Sequence, residues 1–450
     1  MDGIPMVPPD AFQVIVIAHE QRAESGDYPK PKDFVETIRN SFVRLETNEI
    51  VRELSLVDDQ GTGAAVRKFY VSGIDLTKPL PPPPRELEKA LHSLVVLLVT
   101  AHMVNDKDVM EALDRLAEAV LKSKKRHGLL VLGWSESLLG SFREKAQELG
   151  LKSLGIPQGI SVEKLGEYAV RPAYAAILAL SRAHRLLFRG SNDEPGMRLQ
   201  EPKARFFISH AKLDGLPLAH SLTHILERLA WLDYFYDARD IQSGDDFREI
   251  LEYGVLDSML LVLRTDIYDL RFWCRQEVMW AEERDRPVLL VDARTELLSR
   301  PTTLGFTGIP GVRIPDGNLV RVLIEALREW VRIGILTRRF EHIPACAAFA
   351  CTELLSRTPG LTALSAAIDR LKKRNPLPQS STPSSSAAHP AGNGQEVEAS
   401  DSHDRTARVC IVHAEPSLDE TYSRAAGDLL RSSFPHGVVL SFRKYCSQIP

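Results

Sequence analysis

The sequence predicts an α/β fold built on parallel, doubly wound sheets, and three observations carry that prediction. Apolar runs of strand length alternate with longer amphipathic segments. The connections between them are mostly short and polar. The same opening, an apolar strand followed by a helix, occurs three times along the chain.

The first pattern fills residues 1–197. Phe12 to His19 reads as a strand, Phe34 to Leu45 as a helix and Val66 to Val71 as a second strand. The proline run Pro79 to Pro84 is an extended connector, Arg85 to Leu91 is helical, and Leu94 to Thr100 is a strand. Asn105 to Asp108 looks like a helix cap ahead of the amphipathic helix Val109 to Lys122, which His127-Gly128 ends. Leu129 to Gly133 is another strand, Arg171 to Leu187 a closing helix, and Arg189 to Pro202 a linker.

The second pattern, residues 203–336, is the most regular. The strand Phe206 to Ser209 ends in His210-Ala211-Lys212-Leu213-Asp214, and an amphipathic helix follows from Leu216 to Leu229. Leu232 to Asp237 is a strand that runs into the polar loop Ala238 to Asp246, followed by a helix, Phe247 to Leu256. Asp257-Ser258 precedes the strand Met259 to Leu263, and Arg271 to Asp285 has helical composition. Pro287 to Asp292 is a fourth strand and Leu319 to Ile333 the closing helix.

Beyond it, 337–374 reads as a helical extension with two helices in Ala345 to Arg374, and 375–407, rich in Ser, Pro, Ala and Gly, as a disordered tether. The last unit, 408–450, offers the strand Arg408 to Ala414, the helix Glu420 to Ser432 and a strand start, Val438 to Phe442. Two strands are too few to cover a sheet on both faces. The expectation is therefore that the chain is a piece of a longer one, or that this tail docks on another unit. Val16-Ile17-Ala18-His19, Phe207-Ile208-Ser209-His210 and Cys410-Ile411-Val412-His413 look alike, which fits a repeated βα module; any α/β sheet also opens on an apolar strand.

A length of 450 residues implies two or three domains. With 44% hydrophobic and 26% charged residues the composition is that of a soluble globular protein, and a net charge of −4 gives no basic surface for nucleic acid. The five cysteines (274, 346, 351, 410 and 446) lack disulfide or metal-ligand spacing, so a reducing compartment suits them. Met1 to Asp10 has neither the basic start nor the apolar core of a signal peptide. Leu94 to Ala101 falls well short of the ~20 residues that a membrane helix needs. A cytoplasmic location with no membrane contact is expected.

Trp273-Cys274-Arg275-Gln276-Glu277 is the motif with the most chemistry in it. One helical turn separates Trp273 from Glu277, which puts an indole and a carboxylate on one face near a helix start. That junction follows a strand, at the carboxyl edge of a parallel sheet where open α/β folds bind ligands. An indole beside a carboxylate can hold a flat cationic ring while the acid faces developing positive charge. The plainer reading is a half-buried aromatic and a solvated acid on a surface helix.

Other signals carry less. Gly133-Trp134-Ser135-Glu136-Ser137 lies where a nucleophile elbow would, but Ser137 stands in place of the final glycine. His220 and His224 lie one turn apart without a following Glu, so no zinc-protease motif is present. Gly61-Thr62-Gly63 precedes a strand rather than a helix, and nothing resembles a Walker A loop. No metal ligand set and no cofactor are expected.

Taken together, the strand motif Phe207-Ile208-Ser209-His210, the loop Asp237 to Asp246 with Gly244-Asp245, Ser258 before a strand, and Trp273-Cys274 with Glu277 resemble the TIR (Toll/interleukin-1 receptor) domain family in its bacterial form. The resemblance covers residues 203–336, under a third of the chain. It implies a flavodoxin-like central TIR domain, flanked by an N-terminal α/β TIR-like domain and a partial C-terminal α/β unit. It also implies NAD+ glycohydrolase activity, cleaving the nicotinamide–ribose bond to give nicotinamide and ADP-ribose or a cyclic isomer. Glu277 would be catalytic. Ser209, His210, Ala211, Lys212, Asp240, Gln242 and Trp273 would bind the substrate, while Cys274 would be a core residue. Such domains serve as effectors in bacterial anti-phage and stress defence. They self-associate so that the loop of one copy completes the next, under a sensor partner or small-molecule trigger. The alternative is a non-catalytic adaptor that assembles with other TIR domains. The first unit has no Trp four residues ahead of a Glu after Leu94 to Thr100, so it is expected to regulate or assemble rather than catalyse.

Overall fold

The computed structural model describes residues 10–19, 31–42, 64–71, 84–123, 126–155, 159–166, 171–188, 203–236, 246–295, 309–315, 317–342, 351–355, 361–374, 409–413, 420–434 and 438–441. The expected linker 189–202, the tether 375–407 and most of the proline run lie outside these residues, as does the loop 237–245. The chain divides into two compact units, residues 1–342 and 343–450.

The first unit holds two five-stranded sheets. Strands β1 (Asp10–His19), β2 (Ala64–Val71), β3 (Ala90–Val99), β4 (His127–Gly133) and β5 (Ile160–Ser161) form one, in the order β2-β1-β3-β4-β5. Strands β6 (Ala204–His210), β7 (Leu232–Phe235), β8 (Met259–Arg264), β9 (Val288–Asp292) and β10 (Gly311–Arg313) form the other, in the order β10-β9-β8-β6-β7. Every pairing is parallel. Numbered from its own first strand, each sheet has the order 2-1-3-4-5, the doubly wound arrangement with its topological switch between strands 1 and 3. The α/β class expected from the sequence is the class observed.

These strands form here because both their faces are covered. Along β1, Phe12, Val14, Val16 and Ala18 join one apolar cluster and Ile15 and Ile17 join another, which is the period-2 alternation of a strand buried on both sides. Gln13, the polar exception, donates to Ser93 Oγ at 2.9 Å, and Ser93 donates in turn to the Leu87 carbonyl. In the second sheet, Phe206 and Ile208 face one side, and Phe207 faces the other with Leu260 and Val262.

The helices in chain order are α1 (Pro31–Phe42), α2 (Ala101–Asn105), α3 (Lys107–Lys122), α4 (Glu136–Glu148), α5 (Arg171–Phe188), α6 (Leu216–Glu227), α7 (Phe247–Leu256), α8 (Phe272–Glu283) and α9 (Leu319–His342). Asp106 caps α3 by accepting from the Val109 N–H, as the sequence suggested. Ser135 caps α4 in the same way, which gives the Gly133 to Ser137 motif a structural explanation. Helix α9 runs nine residues past the expected end at Ile333. Gly334, the residue after that expected end, lies inside the helix where α5 crosses it: a Cβ there would sit 2.8 Å from Phe188 and 2.9 Å from Leu187.

This crossing joins the two sheets. Residues of β1, β3 and β4, of α5 and α9, and of β6, β8 and β9 belong to one continuous apolar cluster. Trp330 of α9 packs edge-on against His184 and Phe188 of α5 and against Phe206 of β6. Arg338 Nε donates to the Leu187 carbonyl at 2.8 Å.

The second unit corrects two expectations. Among the described residues of 345–374, which was expected to hold two helices, Cys351–Leu355 is a strand, β11, and Leu361–Arg374 is a helix, α10. With β12 (Val409–His413) and β13 (Val438–Ser441) it makes a parallel three-stranded sheet, β11-β12-β13, so the last unit draws a strand from before the tether. Helices α10 and α11 (Glu420–Ser433) cover it through Leu364, Ile368, Leu371 and Leu430. Glu353 of β11 receives Arg370 and Arg374, each at 2.6 Å. Among the described residues, no helix is long and apolar enough to cross a membrane.

Two outcomes follow from the α5–α9 crossing. Gly334→Val forces two helices apart and is expected to cost about 1–3 kcal/mol, read from denaturant midpoints. His184, 3% exposed in that crossing, has its pKa pushed down to about 3 by burial, with Arg185 adding to the shift. It is neutral in the fold and chargeable in the unfolded chain, so it stabilises fully above pH 6.5, and that stability is lost as pH falls toward 3. His184→Leu should flatten the acid slope of stability by up to about 1.4 kcal/mol per pH unit. An unchanged slope would contradict the burial of the ring.

Candidate functional site

The candidate site lies at the switch point of the second sheet, outside the carboxyl ends of β6 and β8, which pair so that Ser209 stands opposite Val262 and His210 opposite Leu263. Three segments meet there: the turn 211–215 after β6, the turn 265–271 after β8, and the first turns of α8.

Each turn is pinned. Gly215 closes the first by donating its N–H to the Ala211 carbonyl at 2.8 Å, and a Cβ at Gly215 would lie 2.9 Å from that same oxygen. Asp214 then ties this turn to the next, accepting from Thr265 Oγ1 at 2.7 Å and from the Ile267 N–H at 3.2 Å. Arg264, fully buried at the end of β8, forms a two-nitrogen pair with Asp269 inside the second turn. Asp266 holds Thr295 beyond β9. Asp292 pairs with Arg294, whose hydrogen bond holds its carboxyl below the usual carboxylate range.

Within this frame Glu277 is only 7% exposed and reaches back to the first strand, accepting a hydrogen bond from Ser209 Oγ. Tyr268, wholly buried, places its hydroxyl 2.5 Å from Ser209 Oγ and 3.3 Å from the Cys274 carbonyl. Burial first, and the Glu277 charge second, push the Tyr268 pKa well above its ordinary value. The Cys274 thiol donates to the His210 carbonyl at 3.5 Å, stitching α8 to the end of β6 from within the core. The His210 ring stacks on Tyr236 at 5.4 Å, just ahead of residues 237–245.

The residues expected to bind substrate divide by exposure. Ser209 and Ala211, each 1% exposed, are enclosed and shape the wall rather than its surface. His210 is buried as well, with its ring under Tyr236, whereas Lys212 is exposed. Trp273 is 38% exposed and lies 5.3 Å from Phe272 and 6.4 Å from Trp280 between ring centres. Asp240 and Gln242 lie outside the described residues. Ser258 is buried at the amino end of β8, the opposite end from Glu277. His220 and His224 are exposed on α6, and no metal-binding group of His, Cys, Asp and Glu exists among the described residues.

Sequence reasoning missed Tyr268 and the Arg264–Asp269 pair. The available signal was an aromatic hydroxyl and a strand-end arginine around an otherwise polar turn, which is a pattern of burial rather than of periodicity.

The first sheet has a comparable layout without the chemistry. The interval from the end of β3 to the start of α3 equals that from the end of β8 to the start of α8. Counted this way, Tyr268 corresponds to Met103 and Glu277 to Ala112, and Ser209, next to last in β6, corresponds to Ala18 in β1. All three counterparts are buried and apolar. No protein-family model matches the chain, and no curated protein matches it closely enough to count as a relative.

Proposed function

We propose that residues 203–336, built on the second sheet, are a TIR-type NAD+ glycohydrolase domain, with nicotinamide and ADP-ribose, linear or cyclic, as its products. The observation that carries this reading is a buried, hydrogen-bonded carboxylate, Glu277, at the switch point of a doubly wound sheet, one helical turn from the part-exposed indole of Trp273.

The chemistry asks for few groups. Nicotinamide leaves a cationic nitrogen as a neutral molecule, so no general acid is required. The ribose that remains has oxocarbenium character, and an oriented carboxylate stabilises it. Glu277 takes that role, Trp273 offers a face for the nicotinamide or its ribose, and Lys212 supplies a cation at the rim for phosphate. The role in anti-phage or stress defence, the cytoplasmic location and activation by self-association extend the same proposal.

The decisive variants are at Glu277. Glu277→Gln and Glu277→Ala are expected to lower kcat for NAD+ cleavage at least ~100-fold with the fold intact. Trp273→Ala should instead raise KM by about tenfold, the loss of about 1.4 kcal/mol of ring contact. Nicotinamide release followed by chromatography measures both, and wild-type turnover in Glu277→Ala would remove the enzyme.

A second reading, a non-catalytic adaptor, has its own support in the apolar residues exposed on the same turns: Leu213 at 75%, Leu270 at 64% and Phe272 at 61%. The two readings separate on concentration. An enzyme completed by self-association gains specific activity with protein concentration and loses it on dilution to monomer; full turnover by a strict monomer would contradict that mechanism. An adaptor assembles equally well in wild type and Glu277→Ala and consumes no NAD+ in either.

A further inference from the structure

The single hydroxyl proton of Ser209 goes to Glu277 Oε2. Its oxygen is then an acceptor for the Tyr268 phenol, 2.5 Å away; the same O–H also faces the Cys274 carbonyl at 3.3 Å, and the shorter contact takes the larger share of its one proton. Tyr268 stays a phenol because burial and the nearby carboxylate both oppose its ionisation. The hydrogen bonds therefore run one way, from Tyr268 through Ser209 to the carboxylate.

We propose that Ser209 and Tyr268 are positioning residues, which act through this chain to fix the Glu277 carboxylate in one orientation and to favour its ionised form. The premise is the role of Glu277 in NAD+ cleavage set out above. Three further observations support it. Ser209 and Tyr268 are 1% and 0% exposed, so neither hydroxyl offers a surface to a ligand. The turn that carries Tyr268 is held at both ends, by Asp214 on the Ile267 N–H and by Arg264 on Asp269, so the phenol is a fixed donor. The corresponding positions in the first sheet, Ala18, Met103 and Ala112, lose the whole chain together, as expected if the two hydroxyls have no purpose without the acid.

Cys274 on α8 and Asp269 in the turn, like Glu277, act electrostatically on the Tyr268 hydroxyl. Asp269 already has an ion-pair partner in Arg264 of β8, so removing a hydroxyl changes the immediate environment of Glu277 more than that of Asp269.

The test uses the full chain with 13C-labelled glutamate carboxyls, the Glu277 signal being assigned by its loss in Glu277→Gln. In Ser209→Ala the carboxyl titration should move up by about one pH unit, and in Tyr268→Phe by less, because each loses a donor to the charged form. Ser209→Thr, which keeps the hydroxyl, should titrate like wild type. In NAD+ cleavage, Ser209→Ala should lower kcat about tenfold or more with KM within about twofold, and the acid limb of kcat should rise with the titration. Should Ser209→Ala fail to fold, Tyr268→Phe, which removes one oxygen, carries the same test. Titrations of folded variants that superimpose on wild type overturn the proposal, and so does a shifted titration with kcat untouched. If the wild-type chain does not cleave NAD+ while the titration shifts as expected, the function proposed above falls and the hold on the carboxylate stands.

Discussion

The packing of α5 against α9 is the constraint on which the first unit depends. A parallel sheet needs cover on both faces. Two sheets on one chain would ordinarily supply that cover separately, as two domains on a linker. Here α5 is buried on nearly every side, from Tyr174 to Leu187, and serves the first sheet with one face while meeting α9 with another. A helix that is apolar all round has to be enclosed, and the second sheet with α9 encloses it. Gly334 makes the close approach possible, and Trp330 extends it to Phe206 on β6, the strand that ends in Ser209. The strand that carries the candidate site is thus anchored in the same core that joins the sheets.

Against that apolar background Glu277 is an expensive residue to enclose. Desolvating a carboxylate costs several kcal/mol, while a hydrogen bond to a charged group offsets roughly 1.5–3 kcal/mol. An apolar side chain at this position would serve the core better. The first sheet shows such a solution within the same molecule, with Ala112, Met103 and Ala18 at the corresponding positions. The buried acid is therefore better explained by chemistry than by stability. The surrounding pairs have a different part: Arg264–Asp269 and Asp214 with Thr265 fix the two turns that follow β6 and β8.

Most elements could be read from the sequence because their periods were clean. Leu216, Phe247 and Leu319 begin helices where the apolar spacing places them, and β6, β8 and β9 are the apolar runs that were expected. The misses have physical causes. Glycine commonly stops a helix, but Gly334 sits at a crossing where the absence of a side chain is what the packing requires. Cys351–Leu355 is too short to show alternation, and its strand character comes from pairing with β12, far along the chain. At the site, Glu277 and Trp273 were legible as a spacing. Their unequal exposure was not, since one helical turn says that two side chains share a face but not how deep each lies. Tyr268 was invisible for the same reason, because its role depends on a hydroxyl meeting Ser209 from another strand.

That unequal exposure bears on how the two functional readings relate. Glu277 lies inside, while Leu213, Leu270, Phe272 and Trp273 stand out around it. Exposed apolar groups cost the isolated chain about 25 cal/mol for each Å² that a partner surface or ligand could cover. An enzyme whose substrate covered only the indole would leave the leucines and Phe272 unexplained. A pure adaptor would explain those three and leave the buried acid unexplained. A site that becomes complete when a second surface closes on the rim, as proposed above, would account for both: the rim would drive the association, and the association would enclose the substrate beside an acid already held in place. On that view catalysis and assembly are two properties of one edge of the second sheet, and the aligned carboxylate is the part that exists before any partner arrives.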